Sequence, residues 1–205
     1  MESYSQIGQD LFVLDYFNNV KGGYFVEVGA LNGIVLSNTY LLEKNFDWKG
    51  VCIEPSPDHY NKLVANRKCV CSDKAAYSES GLTLEFVKKY DGLLSGLKDH
   101  YDFGFFSESP VEKIIAVKTS TLTDILDEND APKYIHYLSL DTEGSEVEIL
   151  KGIDFGKYTF GIISIEHCHR IQSRIDQRAI LEKNGYVFLK QNDFDDYYVY
   201  PKPNN

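Results

Sequence analysis

Apolar and polar positions along this chain follow two rhythms, period 3.6 and period 2, and the two take turns. Gln9 to Asn18, with Leu11, Leu14, Tyr16 and Phe17 as its apolar members, predicts an amphipathic opening helix. Tyr24–Val28, β-branched and aromatic, predicts a first strand. Ser37 or Asn38 caps a helix through Asn45, with Leu41, Leu42 and Phe46 inward. Gly50–Ile53 is a second strand, and Pro57 starts a helix to about Asn66. Cys69–Cys71 predicts a short third strand, and Leu82–Val87 continues as an extended segment. A helix at Leu122–Glu128, the strand Tyr134–Leu140, a helix at Val147–Leu150, the strand Gly161–Ile165 and a helix at Ile175–Asn184 follow. Tyr186–Leu189 and Tyr197–Tyr200 flank the polar Gln191-Asn192-Asp193, as in a hairpin. The alternation predicts an α/β fold: a mostly parallel central sheet with one antiparallel strand and helices on both faces. No repeat, low-complexity segment or linker interrupts it, so residues 1–205 read as a single domain.

One stretch breaks the rhythm. Lys88 to Pro110 holds Gly92, Gly96 and Gly104 among Tyr90, Leu93, Leu94, Tyr101, Phe103, Phe105 and Phe106. Loops of this length are usually lids, binding loops or disorder, and the aromatics argue against disorder. Such rings suit a substrate-facing wall, a core extension or a subunit contact.

The strand Tyr24-Phe25-Val26-Glu27-Val28 ends in an acid and runs into Gly29-Ala30-Leu31-Asn32-Gly33; the strand at Val51-Cys52-Ile53 ends in Glu54-Pro55. In an open α/β sheet this layout builds a nucleoside-binding crevice at the carboxyl ends of the strands. Glu54 stands 21 residues past Gly33, where a ribose-binding acid falls in such folds. A dinucleotide site wants G-x-G-x-x-G, whereas here the spacing is Gly29-x-x-x-Gly33 with Leu31 at the second glycine's place. Glu27 would repel a pyrophosphate but suits a cationic amino group. The turn therefore favours S-adenosylmethionine over NAD.

Composition narrows the class further. Hydrophobic content of 43% is that of a globular chain. No apolar run reaches the ~18 residues of a membrane span, and the start has no signal-peptide character, so a cytoplasmic location is expected. The net charge of −10 argues against an extended nucleic-acid interface. Cys52, Cys69, Cys71 and Cys168 sit in or beside apolar strands and read as reduced thiols, not a disulfide framework or zinc site.

Chemistry is expected at the ends of the fourth and fifth strands, Asp141-Thr142-Glu143-Gly144-Ser145-Glu146 and Glu166-His167-Cys168-His169. These ends adjoin the first strand in the expected topology, so Asp141, Glu143, Glu166 and His167 meet in one crevice. Methyl transfer to oxygen needs a placed acceptor and a route for its proton; His167 with an orienting carboxylate supplies one. Alternatively Asp141, Glu166 and His167 hold a divalent Mg²⁺ or Mn²⁺ that acidifies the acceptor hydroxyl. Glu143 and Glu146 also suit a helix N-terminus, and His169 reads as a solvated loop residue. His59, His100 and His136 read as structural or exposed.

Several ordered motifs together resemble the FkbM-type family of S-adenosylmethionine-dependent methyltransferases, with the Rossmann-like class I fold. They are Tyr4-Ser5-Gln6-Ile7-Gly8-Gln9-Asp10, Phe25-Val26-Glu27-Val28-Gly29-Ala30, Ser37-Asn38-Thr39, Trp48-Lys49-Gly50 with Ile53-Glu54-Pro55, and Leu140-Asp141-Thr142-Glu143-Gly144-Ser145-Glu146 leading to Leu150-Lys151-Gly152. The resemblance covers roughly residues 4 to 190. It implies O-methylation of a hydroxyl on a sugar, glycan or related natural product, with a small-molecule or glycan acceptor. It also implies a cofactor site built from Gln6, Glu27, Gly29, Ala30, Asn32, Gly33, Ser37, Asn38, Glu54, Pro55, Ser72, Asp73 and Asp141. Within it Glu27 and the Gly29 turn would hold the methionine end, Glu54 the ribose hydroxyls, and Ser72 with Asp73 the adenine. Ser139 stands where the family often has lysine. The rival readings are a nicotinamide oxidoreductase and a catalytically silent nucleoside- or glycan-binding domain.

Overall fold

In the computed structural model, which describes residues 1–89, 92–101, 111–167 and 169–201, the chain alternates as its pattern predicts. The first half contains α1 (Gln9–Tyr16), β1 (Tyr24–Val28), α2 (Tyr40–Phe46), β2 (Lys49–Ile53), α3 (Pro57–Asn66), β3 (Val70–Ser72), β4 (Ala75–Ala76), β5 (Thr83–Lys89) and β6 (Gly96–Leu97). The second contains β7 (Val111–Ser120), α4 (Leu122–Glu128), β8 (Tyr134–Leu140), α5 (Glu146–Lys151), β9 (Thr159–Glu166), α6 (Ile171–Lys183), β10 (Val187–Asn192) and β11 (Asp195–Val199). Seven strands form one sheet in the order β10-β11-β9-β8-β1-β2-β3. Neighbours from β9 to β3 pair in parallel, and among the described strands of this sheet β11 is the one that runs against them.

Strand alternation sorts the sheet into two packed faces. Phe25 of β1, Tyr137 of β8, Ile162 of β9 and Tyr197 of β11 pack with Val13, Leu41, Leu42 and Leu63 of α1, α2 and α3. Val26, Leu138, Ile163 and Tyr198 pack on the other face with Leu122, Ile149 and Leu181 of α4, α5 and α6. Both faces are covered, so the central strands are buried almost without interruption, as parallel sheets require.

A second sheet, β4-β7-β5-β6, lies between β3 and α4 in the chain. Its long strand β7 is absent from the sequence expectation, because Val111–Ser120 is mostly exposed and lacks clean alternation. Within Lys88–Pro110 the structure forms β6 and a 3₁₀ turn at Lys98–His100, while Tyr90, Phe103, Phe105 and Phe106 lie outside the described residues. Tyr101 is buried, and its hydroxyl donates to the Leu94 carbonyl at 2.7 Å. Cys52, Cys69 and Cys71 are free thiols, and Cys168 lies outside the described residues. Among the described residues no helix is long and apolar enough to cross a membrane.

Candidate active site

The site begins where β1 ends. Gly29 turns the chain at φ 88°, and the Gly29 and Ala30 N–H groups donate to the Ile53 carbonyl at 3.0 and 3.1 Å. A Cβ on Gly29 would stand 1.8 Å from the Asp141 carbonyl oxygen, so the close neighbour that demands glycine is the end of β8. The Asp141 N–H in turn donates to the Val28 carbonyl at 3.1 Å. These bonds fix Asp141 against the β1 turn.

Glu27 and Glu54 stand on the α1–α3 side of their strands but meet different surroundings. Glu27 accepts from the Asn38 N–H at 2.6 Å, the Thr39 hydroxyl at 2.6 Å, the Ser37 hydroxyl at 2.9 and 3.1 Å, and Arg67 Nη1 at 3.3 Å. Among the described residues, Glu54 accepts only from backbone N–H groups, those of Leu31 at 3.0 Å and Ser56 at 2.8 Å. Burial pushes the Glu54 carboxyl up to about 7, against the pull of those two donors.

Both acids border a cavity of about 420 Å³ at the carboxyl ends of β1, β2, β8 and β9. Gln6, Ser37 and Asn38 form one side; Ala75, Ala76, Phe86 and Leu97 of the second sheet form the other, with Leu93 and Leu94 beside them. Leu31, Leu36, Glu143 and His169 line it too, and all four hold positive φ (48°, 56°, 60° and 55°). Such conformations cost about 1–3 kcal/mol each and persist where surrounding structure overdetermines them.

Asp141, Glu143 and Glu166 each bring a carboxylate oxygen within 4.8 Å of the other two. Burial, aided by the charges of Glu146 and Glu27, raises the Asp141 pKa against the opposing effect of the neighbouring Glu166 carboxyl. Asp195 pairs across the sheet with Glu166 and accepts from Gln9 Nε2 at 3.0 Å; burial and the Asp141 charge push it up to about 7. Glu146 acts locally, where its carboxylate accepts from the Thr142 and Gly144 N–H groups and shapes the turn before α5.

The structure places His167 away from the cavity. Glu166 shares the cavity face with Ile162 and Ser164, so the next residue points to the α6 side. There His167 Nε2 lies 3.8 Å from Asp196 Oδ1, outside the cavity lining, and its Nδ1 accepts from the His169 N–H at 3.0 Å. Burial lowers its pKa. Among the described residues, Asp141, Glu143 and Glu166 stand close enough together to hold a metal ion, and His167 is not part of that group. His169, read as a loop residue, borders the cavity.

Four of the thirteen expected cofactor residues also lie outside the lining. Asn32 turns inward to accept from the Ile34 and Val35 N–H groups, and Gly33 packs under Leu63 and Arg67 of the α3 region. Ser72 gives its carbonyl to the Glu54 N–H, and the wall beyond it is made by Ala75 and Ala76 instead of Asp73. Gln6, Glu27, Gly29, Ala30, Ser37, Asn38, Glu54, Pro55 and Asp141 do line it. Arg67, Phe86, Leu97, Phe194 and Asp195 carry no motif, and only their place in the fold reveals them.

The sequence matches the family described as "Methyltransferase FkbM domain" over residues 27–188. No curated protein matches it. Among solved structures it is similar to a precorrin-6y C5,15-methyltransferase from Geobacter metallireducens, at 10% identity and TM-score 0.48 over 93% of this chain and 86% of that one. It is also similar to a human methyltransferase 10 domain containing protein, at 10% identity and TM-score 0.49 over 97% of this chain and 83% of that one. A methyltransferase from Pyrococcus furiosus matches at 13% identity and TM-score 0.44 over 93% and 79%.

Proposed function

The chain belongs to the FkbM methyltransferase domain family, and from that premise we propose that this S-adenosylmethionine-dependent methyltransferase methylates a hydroxyl of a sugar, glycan or related natural product. The observation that carries the reading is the Asp141–Glu143–Glu166 cluster in the cavity lining, with the Asp141 pKa raised. A carboxylate whose pKa is moved toward neutrality is suited to take a hydroxyl proton. When bound, S-adenosylmethionine supplies an electrophilic methyl group on a sulfonium.

In this reading Asp141 accepts the acceptor's proton, while Glu166 and Glu143 orient the hydroxyl. Glu54 accepts from the ribose hydroxyls, for which each carboxylate oxygen keeps a spare lone pair. Gln6, Gly29, Ala30, Ser37, Asn38 and Pro55 line the cofactor's side. Phe86, Leu94 and Leu97 offer an apolar surface to the acceptor's C–H face. A small or glycan acceptor, not a nucleic acid, is supported by the absence of Lys and Arg among the described lining residues. The same three carboxylates form an oxygen-only donor set, which suits Mg²⁺ or Mn²⁺.

The test is release of S-adenosylhomocysteine with a panel of saccharides, hydroxylated natural products and short RNAs, for wild type and Asp141→Asn. Turnover on a hydroxyl acceptor, lost in the variant while S-adenosylhomocysteine still binds, supports the assignment. Methylation of RNA alone refutes the acceptor class. EDTA inhibition reversed by Mg²⁺ or Mn²⁺ decides the metal.

A further inference from the structure

Glu27 occupies the position from which an acid would meet a ligand's amino group, yet its carboxylate is already committed. Its Oε1 accepts from the Asn38 N–H and the Ser37 hydroxyl; its Oε2 accepts from Ser37, Thr39, Arg67 and the Cys52 thiol. A cation faces that charge as well, shared between Glu27 and Glu43. Arg67, at the end of α3 and 6% exposed, spreads its guanidinium over Glu27, Glu43, the Gly33 carbonyl at 3.1 Å, Ser37 Oγ at 3.2 Å and Thr39 Oγ1 at 2.9 Å. This one side chain therefore ties β1 to both ends of the 33–39 loop that borders the cavity.

Asn38 shows the complementary pattern. It is 6% exposed, lines the cavity, and its Nδ2 donates to Ser139 Oγ at 2.8 Å. Its Oδ1 is buried and accepts no hydrogen bond from the described residues. A buried carbonyl oxygen left without a donor is costly, and a ligand N–H removes the cost.

We propose that Arg67 is a positioning residue that neutralises Glu27 and fastens the 33–39 loop, so that Asn38 Oδ1, not Glu27, receives the amino group of the bound ligand. The inference rests on the reading of the cavity as the S-adenosylmethionine site. Glu27 then acts only through the loop that it holds. A buried carboxylate stripped of its cation is strongly unfavourable, whereas removing both charges is tolerated.

Calorimetric titration of the full chain with two probes tests this: S-adenosylhomocysteine, and 5′-methylthioadenosine, which lacks the amino-acid part. Asn38→Leu should weaken S-adenosylhomocysteine about tenfold, the worth of one charge-assisted hydrogen bond, and leave 5′-methylthioadenosine unchanged. Glu27→Gln should change the affinities for the two probes by the same factor. Arg67→Met should weaken S-adenosylhomocysteine about tenfold or more, and Arg67→Met with Glu27→Gln should recover part of that loss, with Glu43 left to its Lys68 and Cys69 N–H donors. The inference is overturned if Glu27→Gln weakens S-adenosylhomocysteine alone while Asn38→Leu does not. It is equally overturned if the double variant binds no better than Arg67→Met. Should Arg67→Met fail to fold, the probe ratios of Glu27→Gln and Asn38→Leu decide by themselves. A wild type that binds neither probe refutes the cofactor reading instead, and the inference falls with it.

Discussion

Alanine at Gly29 should damage this fold more than alanine at Gly81, although the two backbones have almost the same conformation. Gly29 has φ 88° and Gly81 has φ 84°. A side chain in that left-handed region costs about 1–2 kcal/mol at either site. The surroundings differ: a Cβ at Gly81 meets nothing within 4 Å, while one at Gly29 falls 1.8 Å from the Asp141 carbonyl oxygen. That oxygen belongs to backbone held by the Asp141 N–H bond to Val28, so relief requires β8 to move away from β1. Forcing atoms into such a packed place adds about 1–3 kcal/mol. The expectation is about 1–2 kcal/mol lost for Gly81→Ala and about 2–5 kcal/mol for Gly29→Ala. Urea unfolding followed by the fluorescence of Trp48, the chain's single tryptophan and 2% exposed, measures both. Because Asp141 lines the cavity, Gly29→Ala should also weaken S-adenosylhomocysteine, and Gly81→Ala should not. Equal losses at the two sites, within about 0.5 kcal/mol, the usual size of a neutral surface effect, would refute the contact argument.

Glu54 provides a pH test. Its folded value of about 7 exceeds the ordinary 4.5, so the folded protein holds the extra proton. Its contribution to stability is full below pH 4.5 and lost as pH rises through about 7; thermal unfolding across that range should show a downward slope that Glu54→Gln flattens. If its carboxylate holds the ribose, S-adenosylhomocysteine affinity should rise over the same interval in wild type, and a flat titration refutes that role. His167→Ala should leave turnover within about threefold of wild type, an effect under 1 kcal/mol, because the ring faces Asp196 on the side away from the cavity; a loss of a hundredfold would return it to the mechanism. Trp48→Phe removes a buried indole whose Nε1 donates to the Val20 carbonyl at 2.8 Å, and should cost about 1–3 kcal/mol by tyrosine-fluorescence-monitored urea unfolding.

Much of this protein is legible in its sequence because the signals are local. Tyr24–Val28, Pro57–Asn66, Leu122–Glu128 and Tyr134–Leu140 begin and end in the structure where β-branched runs, helix starts and apolar spacing place them. The acid-and-glycine endings of β1 and β2 and the acidic ending of β8 likewise predict a crevice at one end of the sheet, since the carboxyl ends of neighbouring parallel strands share that end. Strand periodicity even separates Glu166 from His167, because consecutive residues point to opposite faces. Which face borders the cavity is not a local property. It follows from where α1–α3 and the second sheet pack, and that packing gives the site to Glu166 and withholds it from His167. Arg67 meets Glu27 across 40 residues of chain, and Asp195 pairs with Glu166 through the last strand. Ala75, Phe86 and Leu97 become cavity wall through a sheet whose strand β7 carries no clear period. Local preference writes the elements and the strand-end acids; burial, charge neutralisation and the close approach at Gly29 exist only once distant segments share one interior.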